Sequence, residues 1–167
     1  KLADIQQQLG ADTLLLEYSL GDELSFLWVV GQNSLASYEL PKREQIEQTA
    51  TDVYRMLTVR SRNVAGETPR QRQARIAQTE AQLPAAARQL SQMLLIPAAS
   101  QLGNKRLVIV ADGALQYIPF AMLPDPNNSD AGNKNPQSAT RNPQSETPLV
   151  VNHELISLPS ASTLAVM

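Results

Sequence analysis

A single histidine, His153, is the only imidazole in the chain, and two serines, Ser160 and Ser162, follow it closely. A serine hydrolase needs an imidazole base beside a serine nucleophile, and a carboxylate that orients the imidazole. Asp112 or Glu154 could supply that carboxylate. A lone histidine within a strand is more often a packed or surface side chain, so the residue pattern favours a structural role for His153.

A second candidate is the pair Asp112-Gly113, which follows an unbroken apolar run from Leu107 to Ala111. A run without alternating polar residues predicts a strand buried on both faces, in the middle of a parallel sheet. Ligands bind open α/β sheets at the carboxyl ends of such strands. Asp112 and Gly113 are therefore candidate ligand contacts, although Asp-Gly is also the ordinary chemistry of a tight turn, and the turn is the favoured interpretation.

Composition excludes several other kinds of site. The 167 residues contain no cysteine, which excludes disulfides, thiolate metal sites and a cysteine nucleophile within this stretch. One histidine cannot form a multi-histidine metal site, and no phosphate loop, dinucleotide fingerprint or nucleophile elbow implies a cofactor. A net charge of −2 argues against nucleic-acid binding. No apolar run approaches the ~18 residues that span a bilayer, so we expect no membrane contact and a cytoplasmic location.

The first hundred residues predict a meander followed by helices. Residues 2–10 predict a short helix, and residues 12–40 alternate with period two and predict a three-stranded antiparallel β-meander with a two-residue turn at Gly21-Asp22. We interpret its aromatic residues as packing rather than a binding platform. Residues 42–100 predict a helical region in which Pro84 breaks or kinks the second helix near Leu83. The aromatic residues are Tyr18, Phe26, Trp28 and Tyr38.

The remaining segments alternate between apolar and polar composition. Residues 105–124 predict the central strand and its turn, and residues 125–147 have no apolar residue larger than alanine and predict a long, disordered surface loop. Residues 148–167 predict a second strand through Leu158 and the start of a helix capped by Ser160 or Ser162. Because the chain begins without methionine and stops after Ala165-Val166, we expect it to be part of a longer protein.

Four segments in register resemble the amino-terminal half of a CHAT domain, the caspase-like module often found after tetratricopeptide repeats. Each segment is moderately specific by itself. The four occur in the family's order and extend over nearly the whole chain, so we assign residues 1–167 to one such domain. They are LLLEYSLGDELSFLWVV at 14–30, SYELP at 37–41, KRLVIVADGALQYIPFAMLP at 105–124 and ELISLPSASTL at 154–164.

This resemblance implies an α/β fold: a caspase-like three-layer domain with a mostly parallel central sheet, preceded by the antiparallel β-meander and amphipathic helices. Active relatives are cysteine endopeptidases of clan CD, with a histidine in a motif like H-x-T-H-G and a cysteine in a motif like S-A-C. Both motifs would lie beyond the segment Pro159 to Ser162, so His153 does not match the catalytic position and this stretch should be inactive by itself. Ala111 also stands where the family usually has proline.

The resemblance also implies partners and leaves two functions open. The chain is either part of a bacterial peptidase domain, acting on a peptide or protein, or a non-catalytic scaffold that docks partners and adjoining repeat domains. In the peptidase, Asp112 and Gly113 would help to wall the substrate groove. If further strands of the sheet lie beyond this stretch, the sheet has an open edge here. The unpaired backbone groups of an open edge can pair with other chains. We therefore also expect self-association, unless the remaining strands are present.

Overall fold

The computed structural model describes residues 2–127 and 146–166, in which five strands form one sheet with helices on both faces. The strands are β1 (Thr13–Ser19), β2 (Ser25–Gly31), β3 (Ser34–Leu40), β4 (Arg106–Val110) and β5 (Leu155–Leu158). The α-helices are α1 (Leu2–Gln8), α2 (Arg43–Leu57), α3 (Pro69–Leu94), α4 (Ala99–Leu102) and α5 (Leu149–Asn152). Most of the predicted polar loop, residues 128–145, lies outside the described residues.

The sheet has the strand order β3-β2-β1-β4-β5. The pairs β1/β2 and β2/β3 are antiparallel, whereas β1/β4 and β4/β5 are parallel. The predicted α/β class is therefore confirmed, with a mixed sheet that is partly parallel. The meander does not form a separate layer, because β1 pairs directly with the central strand.

The connection between β1 and β2 is longer than the predicted two-residue turn. Residues 20–24 lie outside both strands. Leu20 is buried in the core, and the Gly21 amide donates to Ser25 Oγ at 3.2 Å. The two-residue turn was wrong because Leu20 and Ser25 are held by packing and a side-chain hydrogen bond, which widens the connection.

The larger hydrophobic cluster lies between one face of the sheet and the helices α2 and α3. Strand residues such as Leu16 and Leu107 pack there against helix residues such as Ile46 and Leu90, all of them buried. A smaller cluster on the other face packs against the 3-10 helix Ala161–Val166 and residues near α1. Four consecutive residues of β4 are buried, which confirms the predicted burial on both faces: Leu107, Val108, Ile109 and Val110.

The aromatic residues of the meander divide between the two faces of the sheet. Tyr18 packs on Phe120 within the larger cluster, with ring centroids 5.4 Å apart. Phe26 and Trp28 contact each other, with centroids 6.2 Å apart, and Trp28 is exposed. Successive residues of a strand point to opposite faces, so Phe26 and Trp28 share one face, while Leu27 and its register partner Tyr18 lie on the other. These side chains therefore form two packing contacts rather than one cluster.

Helix α3 runs unbroken past Pro84, so the predicted break near Leu83 is wrong, while the alternative of a kink there stays a prediction. Thr68 begins the helix with a capping box, because its side chain accepts from the Gln71 amide and Gln71 reciprocates. Leu83 is partly buried and packs against the larger cluster just before the proline, and Leu90 is buried six residues after it. Packing of these residues against the core outweighs the ~3 kcal/mol that an internal proline typically costs.

The predicted strand from Leu149 to Leu158 is also only partly formed. Residues 149–152 form the helical turn α5, and the strand is limited to β5. The Leu149 amide donates to the Leu123 carbonyl at 2.9 Å, and the His153 amide donates to the Leu149 carbonyl at 2.9 Å. These two hydrogen bonds close the helical turn that begins at the buried residue Leu149. A short apolar run in the sequence does not distinguish such a turn from a strand.

The predicted helix start is a 3-10 helix, Ala161–Val166, directly after Ser160. Across the described ranges, no helix has the length and hydropathy that a membrane-spanning segment requires.

Candidate functional site

Asp112 follows β4 and ties the end of that strand to β1 and α2. Its Oδ2 accepts from the Leu20 amide at 2.9 Å and lies 3.6 Å from Arg43 Nη2. The same Arg43 nitrogen donates to the Leu20 carbonyl at 2.6 Å. Oδ2 of the carboxylate therefore makes structural contacts, and the Asp112 side chain is 39% exposed.

Gly113 adopts a left-handed conformation, with a φ of 56°, and begins the 3-10 helix Gly113–Tyr117. A Cβ at this position would collide with Glu47 Oε1. Glu47 Oε1 also lies 3.5 Å from Arg43 Nη1, so an ion pair between two residues of α2 lies beside the turn. Glycine is favoured here by the sign of φ, and a Cβ would also displace the end of the Glu47 side chain.

A cavity of about 260 Å³ opens beside this turn, where β4 and β5 end. Seven of its nine lining residues are apolar, but nearly half of the wall surface is polar. Gln116 and Ser157 contribute the polar side chains, and no charged side chain lines the cavity. Leu115 and Gln116 reach the cavity, whereas Asp112 and Gly113 are not among its lining residues. The remaining lining residues are Ile109, Ala111, Ile118, Phe120, Leu158 and Pro159.

His153 is buried at the opposite end of β4. Its Nδ1 lies 2.7 Å from the Lys105 carbonyl and its Nε2 lies 3.6 Å from Asp125 Oδ2. Because a carbonyl can only accept, Nδ1 carries the proton in this contact. Asp125 Oδ2 accepts from the Asn152 side chain at 2.9 Å, and its Oδ1 accepts from the Asn127 amide at 2.9 Å.

The serine triad considered from the sequence is not assembled. His153 lies beside Lys105, before β4, whereas Asp112 follows β4, and the five residues of β4 span about 15 Å. Glu154 is paired with Arg106 at 2.7 Å and lies at the surface. The carboxylate nearest to His153 is Asp125, which sequence reasoning missed because Asp125 opens a polar segment and no local pattern connects it to a residue 28 positions later.

The described residues contain no group of three or more His, Cys, Asp or Glu side chains placed to hold a metal ion. At the strand ends the described residues provide an uncharged cavity with two polar side chains, beside the backbone of β5. Ligand pockets are typically apolar with a few polar groups that orient the ligand.

Comparison with known proteins identifies the family. No curated protein matches the chain. The family model described as the CHAT domain matches residues 84–167, which is half of the chain and includes the end of α3, β4, the cavity and β5. The chain therefore belongs to the CHAT domain family.

Proposed function

We propose that the chain is the amino-terminal portion of a caspase-like CHAT domain that acts, in full length, as a cysteine endopeptidase. The observation that carries this proposal is the family match over residues 84–167, which contains the parallel strands β4 and β5. The His/Cys dyad would lie beyond residue 167, since residues 1–167 contain no cysteine. The described stretch alone is expected to be inactive.

The reaction proposed for the complete domain is nucleophilic attack on a peptide carbonyl. An imidazole beside the cysteine favours the thiolate, which attacks the carbonyl carbon. Amide donors would then stabilise the negative charge that develops on the carbonyl oxygen. Both reacting groups belong to the proposed longer protein, and the residues described here would hold the framework and bind substrate.

The contribution of this chain is the groove wall formed by residues 112–116. Leu115 and Gln116 line the cavity and would contact the substrate. Asp112 and Gly113 would not contact the substrate directly. They would fix the position of the turn, because Asp112 bonds to Leu20 and Gly113 lies against Glu47. Asp112 is thus a positioning residue in this proposal.

The second candidate is a non-catalytic scaffold with the same fold. It is favoured by apolar side chains that remain exposed on the meander face, where Leu2, Trp28 and Leu35 border a shallow depression of about 330 Å³. A contiguous exposed apolar surface is typical of an interaction site. Adjoining repeat domains would be the partners of this surface, and the cytoplasmic location stays a prediction.

The test compares the longer protein with its cysteine-to-alanine variant on a peptide mixture derived from a bacterial lysate, with mass spectrometry of the new termini. The proposal expects cleavage by the unmodified protein and none by the variant. Equal cleavage by both proteins, or no histidine and cysteine motifs after residue 167, would contradict the peptidase and leave the scaffold.

A further inference from the structure

His153 and Asp125 form a buried pair that the proposed peptidase does not use. The His153 side chain is 0% exposed and the Asp125 side chain is 2% exposed, and Nε2 of the ring lies 3.6 Å from Oδ2 of the carboxylate. This nitrogen has no hydrogen-bond partner among residues 2–127 and 146–166. Because a buried polar atom without a partner is costly, its surroundings indicate which protonation state the fold favours.

Both ring nitrogens of His153 face oxygen atoms that accept hydrogen bonds. Nδ1 lies 2.7 Å from the Lys105 carbonyl, which can only accept. Asp125 accepts from the Asn152 side chain and from the Asn127 amide, each at 2.9 Å, and two such donors favour the ionised carboxylate. A neutral ring protonated at Nδ1 would turn its Nε2 lone pair toward this negative oxygen, whereas a second proton converts the contact into an ion pair.

Asp125 supplies the only carboxylate that contacts the ring within the described part of the chain. Other charged residues near the pair are engaged elsewhere: Arg106 pairs with Glu154 at 2.7 Å at the surface, and Glu146 pairs with Arg88. Lys105 offers the ring its carbonyl. Burial by itself would favour the neutral ring, so a second proton depends on the charge of Asp125.

The pair lies where two segments of the chain meet the start of β4. The Asp125 amide donates to the Thr147 carbonyl at 2.8 Å, and the Leu149 amide donates to the Leu123 carbonyl at 2.9 Å. The His153 ring contacts the residue directly before β4. The contact between the two side chains therefore connects residues 123–127 and 146–149 to the sheet.

We infer that His153 carries two ring protons in the folded protein, and that its ion pair with Asp125 is a pH-dependent tie between these segments and the start of β4. A group that binds its proton more tightly in the folded than in the unfolded state stabilises the fold at low pH. That contribution is lost as the pH rises and the folded protein releases the proton. The tie should therefore loosen as the pH rises, and it is independent of the proposed peptidase activity.

Nitrogen NMR of the protein labelled at its histidine rings tests the protonation state. His153 is the only histidine of residues 1–167, and the loss of its signals in His153→Gln assigns them in a longer chain. At about pH 7.5, above the ordinary imidazole value of about 6.5, we expect the two ring nitrogens to have the similar chemical shifts of an imidazolium. Two widely separated shifts, as in a neutral ring, would overturn the inference.

Two substitutions test the role of Asp125. Asp125→Asn keeps the size of the side chain and removes its charge, so the ring should be neutral at about pH 7.5. Glu154→Gln removes a charge next to His153 that pairs with Arg106 at the surface, and it should leave the ring shifts unchanged. An imidazolium that persists in a folded Asp125→Asn variant would refute the assignment to Asp125. If that variant does not fold, the spectrum of the unmodified protein decides.

Hydrogen exchange tests the tie itself. We expect the protection factors of the Asp125 and Leu149 amides to fall about tenfold between about pH 6 and about pH 8.5, which corresponds to about 1.4 kcal/mol. The Thr58 amide at the end of α2, whose local opening leaves the pair intact, is the internal control and should keep its protection factor. Protection of Asp125 and Leu149 that does not change with pH, or a change that persists in a folded His153→Gln variant, would contradict the tie.

Discussion

At the scale of single residues, the turn after β4 is determined by contacts with distant parts of the chain. Asp112 bonds to the amide of Leu20, 92 positions earlier, and Gly113 lies against Glu47. The sequence identified both residues as unusual, since an Asp-Gly pair after a buried strand is either a turn or a ligand site. It could not identify their partners, because nothing local to the turn specifies which helix packs on it.

Asp112→Ala should destabilise the fold by about 1–2 kcal/mol, since a charged acceptor for the Leu20 amide is lost from a half-exposed position. Asp22→Ala is the matched control, because the Asp22 side chain is 94% exposed and lies 3.9 Å from Arg43 Nε. It should change stability by less than about 0.5 kcal/mol. Urea denaturation measures both, and equal effects would show that Asp112 is not a structural tie.

Gly113→Ala should be more destabilising than Gly66→Ala. Both glycines have positive φ, 56° and 78°, so both substitutions strain the backbone by about 1–2 kcal/mol. A Cβ at Gly66 meets open space, whereas one at Gly113 collides with Glu47. Because the Glu47 side chain can rotate away, the additional cost should be limited to its ion pair with Arg43, below about 1 kcal/mol in thermal or urea unfolding. Indistinguishable variants would mean that the Glu47 carboxylate moves aside without cost.

At the scale of elements, packing overrides local propensity in α3. Pro84 predicts a break when the helix is considered alone, yet the helix continues, with Leu83 partly buried before the proline and several residues buried after it. Pro84→Ala restores a helical N–H and should stabilise the protein by about 1–3 kcal/mol. Ala85→Pro, at an exposed neighbouring position, should destabilise it by ~3 kcal/mol. A destabilised Pro84→Ala variant in urea unfolding would contradict this account.

The amino-terminal end of α3 should respond to acid. Arg75 donates to both carboxylate oxygens of Glu67, at 2.7 and 2.8 Å, and these hydrogen bonds hold the pKa of Glu67 below its ordinary value. A carboxyl whose pKa is lowered on folding stabilises the fold above its unfolded pKa, and that contribution disappears as the pH falls through the folded pKa.

Glu67→Gln should therefore lower the melting temperature at neutral pH, and the difference from the unmodified protein should shrink as the pH falls below about 4.5. Glu23→Gln, exposed near the connection between β1 and β2, is the control and should leave the melting temperature at neutral pH unchanged. A difference for Glu67→Gln that is independent of pH would attribute the effect to packing instead of charge.

At the scale of the whole molecule, the hydropathy pattern predicted the burial of β4, because an apolar run without polar alternation leaves no strand face for solvent. The resemblance to CHAT domains, and not the pattern, implied the α/β class. The pattern did not predict that the meander and β4 form one sheet, since the pairing of β1 with β4 joins residues about 93 positions apart. The buried contact of His153 with Asp125 is invisible in the sequence for the same reason.

The chain belongs to the CHAT domain family, and we propose that its longer form carries a reactive cysteine. The most direct measurement is covalent labelling of the longer protein with a peptidyl acyloxymethyl ketone, followed by mass spectrometry that locates the adduct. We expect one adduct, on the cysteine of an S-A-C motif, and its loss when the paired histidine is replaced by alanine. Absence of an adduct, or labelling that persists after the histidine substitution or after denaturation, would contradict the claim.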